Sequence, residues 1–586
     1  MKEFVLKHRI GLVVAFLVGL ICILPQIMFV VSMGEEFRGV HLLRTPNEEG
    51  YIAIAQEILD GHPRVASMPF FEYKDKTPLL PSTLFRIYTV PVQLFGITLS
   101  SAVIAGKFVL PALLFFIVYL LLYDLIKSRD KKEEKLRSFF SVTAGIFVVF
   151  GFELVDYSSM ISYLKGLSSP EGFLIWTRPI NPVSGATLLF FFIYSLNKFN
   201  FQKKKKWIFW CGLSLALMMA SYVFSWTLAV VVLGLYAFGA LIKKRWLDLV
   251  GYISILILGI LFSLKYWIIN IQATKLDWYG EAAARIGMFH THVPHFNKFT
   301  ITMVIIFLLA SFFAFYKKIL IRPFPYWWWF SVILLASSLI VYNQQIITGV
   351  EIWYYHYVFY TIPFAYMVFM LLLWHILRER YNKIAKIVVT IILIASVSLG
   401  IFYQASAYSK RAPEYAERQY YRDVFDFFNQ AEKDCVVLTK EEKLGWWSNL
   451  ILAFTHCNSY FSYDNQSVLT NPDDFYHRYL SILRAGGLQP DNIEEFIEKN
   501  RGEIVPALQY QLQGTLGFSD YRLEERLSKM PEDYRKFVEE DFYTQLSKFR
   551  IDYILSEGEL SEGVMNGLSN LEKVESINDM VIYRFK

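Results

Sequence analysis

Between Ile10 and Tyr403 the chain keeps returning to apolar runs of about 17 to 25 residues, the length an α-helix needs to cross the hydrocarbon core of a bilayer. In lipid each backbone amide must be satisfied within its own segment, so such runs can only be helices packed on one another. The crossings predicted are 10–33, 100–126, 138–155, 184–199, 207–222, 224–242, 249–271, 299–316, 326–342, 356–376 and 384–403, about 11 transmembrane helices in a polytopic α-helical membrane protein. The formal charge of +6 does not point to nucleic acid, because the basic residues are gathered into short clusters between apolar runs. These clusters, at 127–137, 198–206, 243–246, 317–322 and 378–386, all fall on one side of the membrane if the amino end starts inside. The first run is too long for the core of a signal peptide and reads as an anchored helix. One apolar segment, 79–97, would break the alternation if it crossed. It is expected to lie as a helix in the outer interface, with Arg86 reaching headgroups.

This topology gives a membrane domain over 1–403 with a large first outer loop at 34–99, and an extracytoplasmic domain over 404–586. The latter alternates strand-like runs at 435–440, 552–556 and 580–586 with charged helical stretches, the pattern of a soluble α/β domain. It carries no phosphate-cradling glycine loop and no zinc-spaced Cys/His set, so it reads as a cap or an acceptor-handling domain over the outer face. Cys435 and Cys457 lie in neighbouring runs of this domain. An oxidising exterior would permit a bridge between them, while two buried, unbridged thiols fit the spacing as well.

Any chemistry must come from the outer loops. In the first, "PNEEGYIAIAQEIL" places Glu48 and Glu49 at the start of a short amphipathic helix that Asn47 could cap, where negative charge suits the helix dipole. Lys74 and Lys76 follow in the same loop and could meet a phosphate of a donor or of a lipid. In 168–185, Arg178 stands at the mouth of a membrane helix, flanked by Trp176 and Asn181; its guanidinium could grip phosphate oxygens or snorkel to headgroups. In 342–360, three amides, Asn343, Gln344 and Gln345, precede Glu351 and His356, and ionisable groups at membrane depth are functional candidates. The loop at 273–298 holds Asp277, Glu281, Arg285, His290, His292 and His295, which read as a solvated loop more readily than as a zinc site. Lys107 and Lys265 lie near helix ends, where a long side chain can snorkel.

The long loop after the first crossing, its acidic stretch followed by Tyr51 and a small-residue helix, and then "KTPLLP" and an interfacial helix ending "LFGITLSS", together resemble the GT-C glycosyltransferases. The likeness is to the family-39-like members that use polyprenyl-phosphate sugars. The resemblance implies transfer of a hexosyl or pentosyl group to a glycan, lipid or protein acceptor at the outer face of a cell membrane. A loop carboxylate would serve as base and a lipid-phosphate sugar as donor, with a divalent metal ion an open question. It assigns Glu48 and Glu49 to catalysis with Tyr51 beside them, and it makes Lys74, Arg178, Asn181, Gln345, Glu351 and His356, the polar candidates of the loops, the residues to meet the donor phosphate or sugar. Asn47 stands where the family places Asp, so either Glu48 or Glu49 acts in its stead or the loop has lost the activity. Two other classes stay open: a transporter or flippase of a lipid-linked substrate, and a non-catalytic scaffold whose outer domain binds a partner.

Overall fold

The computed structural model describes residues 2–43, 46–78, 81–128, 130–285, 287–440, 446–462, 469–508 and 521–586. Each of the eleven predicted crossings contains a helix. In chain order the bundle comprises α1 (Arg9–Met33), α4 (Leu99–Leu125), α5 (Lys131–Phe150), α6 (Val183–Gln202), α7 (Lys205–Met219), α8 (Val223–Ile242), α9 (Trp246–Phe262) with its continuation α10 (Leu264–Ala273), α11 (Lys298–Tyr316), α12 (Tyr326–Val341), α13 (Val358–Leu372) and α14 (Arg378–Arg418). Two further helices, α2 (Pro46–Leu59) and α3 (Arg86–Phe95), belong to the first loop. Among the described residues six helices are long and apolar enough to cross a membrane, or seven if the pair bent by 61° at Ser263 counts as one span. The others are shorter, begin in charged residues or carry polar ones; α5, for example, opens on "KKEEKLR", and α6 ends in "NKFNFQ". At 10 residues, α3 covers only half the length of a crossing, which needs about 20.

Small residues let the helices approach closely. A Cβ on Gly19 of α1 would stand 2.7 Å from the Phe108 carbonyl oxygen of α4, a contact only glycine permits. Polar caps close several ends, such as the Thr98 hydroxyl accepting from the Ser101 amide at 3.2 Å.

The carboxyl-terminal domain holds a five-stranded sheet built from β3 (Val436–Lys440), β4 (Asn458–Ser459), β5 (Tyr553–Glu557), β6 (Leu571–Ile577) and β7 (Met580–Phe585), in the order β4-β3-β5-β7-β6. The first three strands run parallel and β7 joins antiparallel to both β5 and β6. Side chains alternate across the sheet as strand geometry demands. Val436, Leu438, Ile554 and Val581 face the domain's own helices, among them Pro472–Ala485 and Tyr521–Glu539. Val437, Leu555 and Ile582 face the other way, into a core shared with Val40, Leu42, Ile52 and Ile58 of the first loop. Helix α2 lies against the domain helix Trp446–Phe454, so the first loop is structurally a layer of the carboxyl-terminal domain. The expected domain boundary at 403/404 falls within α14, which runs without a break to Arg418. Cys435 and Cys457 are joined in a disulfide that ties the start of β3 to the residue before β4.

A short ribbon, β1 (Met288–His290) with β2 (Val350–Ile352), pairs two loops from the same end of the bundle, Phe289 opposite Glu351. The domain is fastened to the first of these loops by Arg285 Nη2, which donates to the Thr470 carbonyl at 2.9 Å, and to the 34–99 loop by the Arg550 amide, which donates to Glu72 Oε1 at 2.8 Å.

Candidate functional site

Glu48 and Glu49 are neighbours in α2 and therefore point about 100° apart around the helix. Their surroundings differ accordingly. Glu48 is fully buried and turns toward the bundle, where Lys107 Nζ of α4 donates to its Oε2 at 3.0 Å. The same ammonium donates to the Thr177 carbonyl at 3.1 Å, which fixes the segment carrying Arg178. Lys107 is itself buried. The expectation that it snorkels to headgroups is corrected, because a carboxylate within hydrogen-bond reach stabilises the ammonium better than an extended path to the interface. Glu49 turns the other way, into an ion pair with Arg418 at the end of α14, and accepts from Tyr415 Oη at 3.4 Å. Burial pushes the Glu49 carboxyl up to about 7, against the opposing pull of Arg418. Asn47 sits inside the first turn of α2, which begins at Pro46; its side chain, and with it the proposed cap, lies outside the described residues.

Four separate elements meet above the Glu48–Lys107 pair. Arg178 lies over the Tyr51 ring, 5.0 Å from its centroid. Tyr222, at the start of α8, hydrogen-bonds His356 Nδ1 at 2.6 Å, and the charge of Arg178 is felt at both. Tyr88 of α3 is hydrogen-bonded to the backbone of Ile180 and lies within electrostatic reach of Glu48. In this same region polar atoms are buried without a hydrogen-bond partner among the described residues: Arg178 Nε, Asn181 Oδ1, Ser184 Oγ and Tyr360 Oη. The approach is tight, since a Cβ on Gly185 would stand 2.6 Å from that Tyr360 oxygen. Unsatisfied buried polar groups each cost roughly 1–3 kcal/mol, so three of them on the stretch from 178 to 184, with Tyr360 Oη facing Gly185 next to it, mark a place shaped for a polar ligand. Trp176 is not part of it, as its indole nitrogen donates to the Val148 carbonyl at 3.0 Å.

The remaining candidates sit elsewhere. Lys74 is buried between Glu57, at 3.0 Å, and Asp434 of the carboxyl-terminal domain, at 2.8 Å. Gln345 is buried and donates to the Val293 carbonyl at 2.8 Å. Glu351 is buried against His295 Nε2 at 2.7 Å, and the Tyr354 ring stacks on that imidazole. His295 is thus an ion-pair partner within the β1–β2 region, and His292 bonds the Ile346 carbonyl at 3.1 Å. Glu281 faces Arg526 of the carboxyl-terminal domain at 3.6 Å. Among the described residues one group has metal-ligand spacing, Cys435, His456 and Cys457; its two sulfurs are already joined to each other. Sequence reasoning gave Lys107 to the headgroups and passed over Tyr88, Tyr222 and Tyr360. For Lys107 a signal existed, a lone cation inside an apolar run; the tyrosines are lost among the chain's 37.

No family model matches the sequence, and no curated protein matches it. Similar solved structures include ArnT from Cupriavidus metallidurans bound to undecaprenyl phosphate, with a TM-score of 0.46 at 9% identity over 99% of this chain and 98% of that one. The archaeal oligosaccharyltransferase AglB from Archaeoglobus fulgidus, in complex with an inhibitory peptide and a dolichol-phosphate, gives 0.42 at 11% identity over 94% of this chain and 69% of that one. The arabinofuranosyltransferase AftD from Mycobacteria gives 0.44 at 12% identity over all of this chain; this chain spans 40% of that one.

Proposed function

We propose that the chain is a membrane glycosyltransferase that moves a sugar from a polyprenyl-phosphate donor to an acceptor hydroxyl at the outer membrane face. The observation that carries this reading is the set of orphaned polar atoms on Arg178, Asn181, Ser184 and Tyr360, gathered beside the buried Glu48–Lys107 pair. A sugar phosphate supplies what those atoms lack: anionic oxygens for the guanidinium, and hydroxyls for the amide and the two hydroxyl side chains.

The chemistry follows from the parts. The acceptor oxygen attacks the anomeric carbon, the bond from that carbon to the phosphate oxygen breaks, and the electron pair leaves with the polyprenyl phosphate. Glu48 takes the acceptor proton, a contribution of roughly 10²–10⁴ in rate for a positioned base. Arg178 meets the charge that grows on the departing phosphate, and Lys107 holds both Glu48 and the Thr177 carbonyl in place. Glu49, closed into its pair with Arg418, is assigned to structure.

Purified protein supplied with a labelled polyprenyl-phosphate sugar and candidate acceptors tests the proposal. Transfer by the wild type that is lost in Glu48→Gln and weakened in Arg178→Lys supports it. Movement of the intact donor across a vesicle membrane without bond cleavage would identify a transporter, and donor binding with neither outcome would leave a scaffold.

A further inference from the structure

At the bend between α9 and α10 a cavity of about 410 Å³ opens between the bundle and the first loop. One wall is apolar, formed by Leu264, Ile268 and Ile269 of α10, and the rim carries Arg64 of the first loop, Lys265 and Gln272. Helix α10 turns 61° from α9 at Ser263, and it lines the cavity together with Arg64, Thr77 and Pro78 of the first loop. Leu264, Ile268 and Ile271 on it are exposed. Arg64 and Lys265 are both exposed, and neither forms an ion pair among the described residues.

We propose that this groove holds the headgroup of an acidic glycerophospholipid, with the phosphodiester between Arg64 and Lys265 and the acyl chains running along the exposed face of α10. Charge complementarity carries the assignment. Two cations without a carboxylate partner among the described residues, beside the exposed apolar face of a helix bent away from α9, form an anion site that a bilayer lipid could fill. The apolar wall beside them suits the glycerol and upper chain carbons, a combination that a free phosphate would leave unused. Gln272 offers an amide for the remaining headgroup oxygens. The groove shares no lining residue with the Glu48–Arg178 cluster, so it is a separate site and the proposal stands whether or not the chain transfers sugar.

Native mass spectrometry on the full-length protein in detergent, with added phosphatidylglycerol, phosphatidylcholine or farnesyl phosphate, tests this. Phosphatidylglycerol should be retained over phosphatidylcholine, and the double variant Arg64→Gln/Lys265→Gln should weaken that retention about ten-fold or more, since each interfacial cation contributes roughly a five-fold preference. Lys275→Gln, two residues past the carboxyl end of α10 and outside the groove, should leave retention unchanged. An unchanged melting midpoint shows that the double variant is folded. Equal retention of the two phospholipids, or no loss in the double variant, overturns the proposal. Displacement of phosphatidylglycerol by equimolar farnesyl phosphate in the wild type, absent in the double variant, also overturns it and assigns the groove to a prenyl phosphate.

Discussion

Two adjacent glutamates, alike in sequence, have opposite assignments because a helix turns about 100° per residue. Glu48→Gln is expected to lower transfer about 100-fold or more, whereas Glu49→Gln should keep most of it. The amide at position 49 can still accept from Arg418, and the charge it removes belongs to a carboxyl already raised to about 7. Initial rates with a labelled donor, at matched thermal midpoints, distinguish the two. Removing one partner of a buried ion pair costs roughly 3–5 kcal/mol, so Lys107→Met should unfold readily. Combining it with Glu48→Gln should recover much of that stability without activity. Arg178→Lys keeps the charge and loses the planar fork, and a rise in donor KM is the expected result. At this scale the sequence disclosed residue types but not partners. Glu48 and Arg178 were legible as candidates, but no periodicity in α2 could show that Lys107 lay against one glutamate and Arg418 against the other.

The first loop and the carboxyl-terminal domain are held by a compact charge cluster as well as a shared core. Lys74 joins Glu57 to Asp434, and His62 stands 3.4 Å from Asp434 and 3.2 Å from Asp75. Burial raises the Glu57 carboxyl from 4.5 to about 7, while Asp434, hydrogen-bonded to Lys74, is held below its ordinary value. A raised carboxyl contributes stability that is complete below about pH 4.5 and is lost as pH rises through about 7. The contribution of Asp434 has the opposite sign and is lost only in strong acid. Hydrogen exchange across 57–76, corrected for intrinsic rate, should therefore be faster at pH 8 than at pH 6, and Glu57→Gln should remove the difference. Persistence of the same pH dependence in the variant would refute this role for Glu57. The disulfide acts on the same domain. Opening a loop of this length lowers stability by roughly 3 kcal/mol, so reductant or Cys457→Ser should lower the melting midpoint of the carboxyl-terminal domain. Strand alternation and the short helix α3 were readable from local pattern. The fusion of loop and domain into one core was not, because residues near 50 and near 450 meet only in three dimensions and each looks like an ordinary amphipathic surface alone.

The whole molecule is a helical bundle whose loops at one end support an α/β domain, and that domain is built partly from the bundle's own first loop. Hydropathy made the bundle legible, since each expected crossing contains a helix; helix length alone does not mark all of them, as several are short or begin in charge. The ribbon pairing Phe289 with Glu351 explains why Gln345, promising as an isolated polar residue, and His295, read as part of a solvated loop, both serve to fasten two loops together. The central claim is that the Glu48–Arg178 cluster cleaves a polyprenyl-phosphate sugar. Its most direct test is release of free polyprenyl phosphate from a labelled donor by the purified full-length protein and its Glu48→Gln variant, with donor binding measured in parallel. The account predicts release by the wild type and almost none by a variant that still binds donor; equal release by both would contradict it.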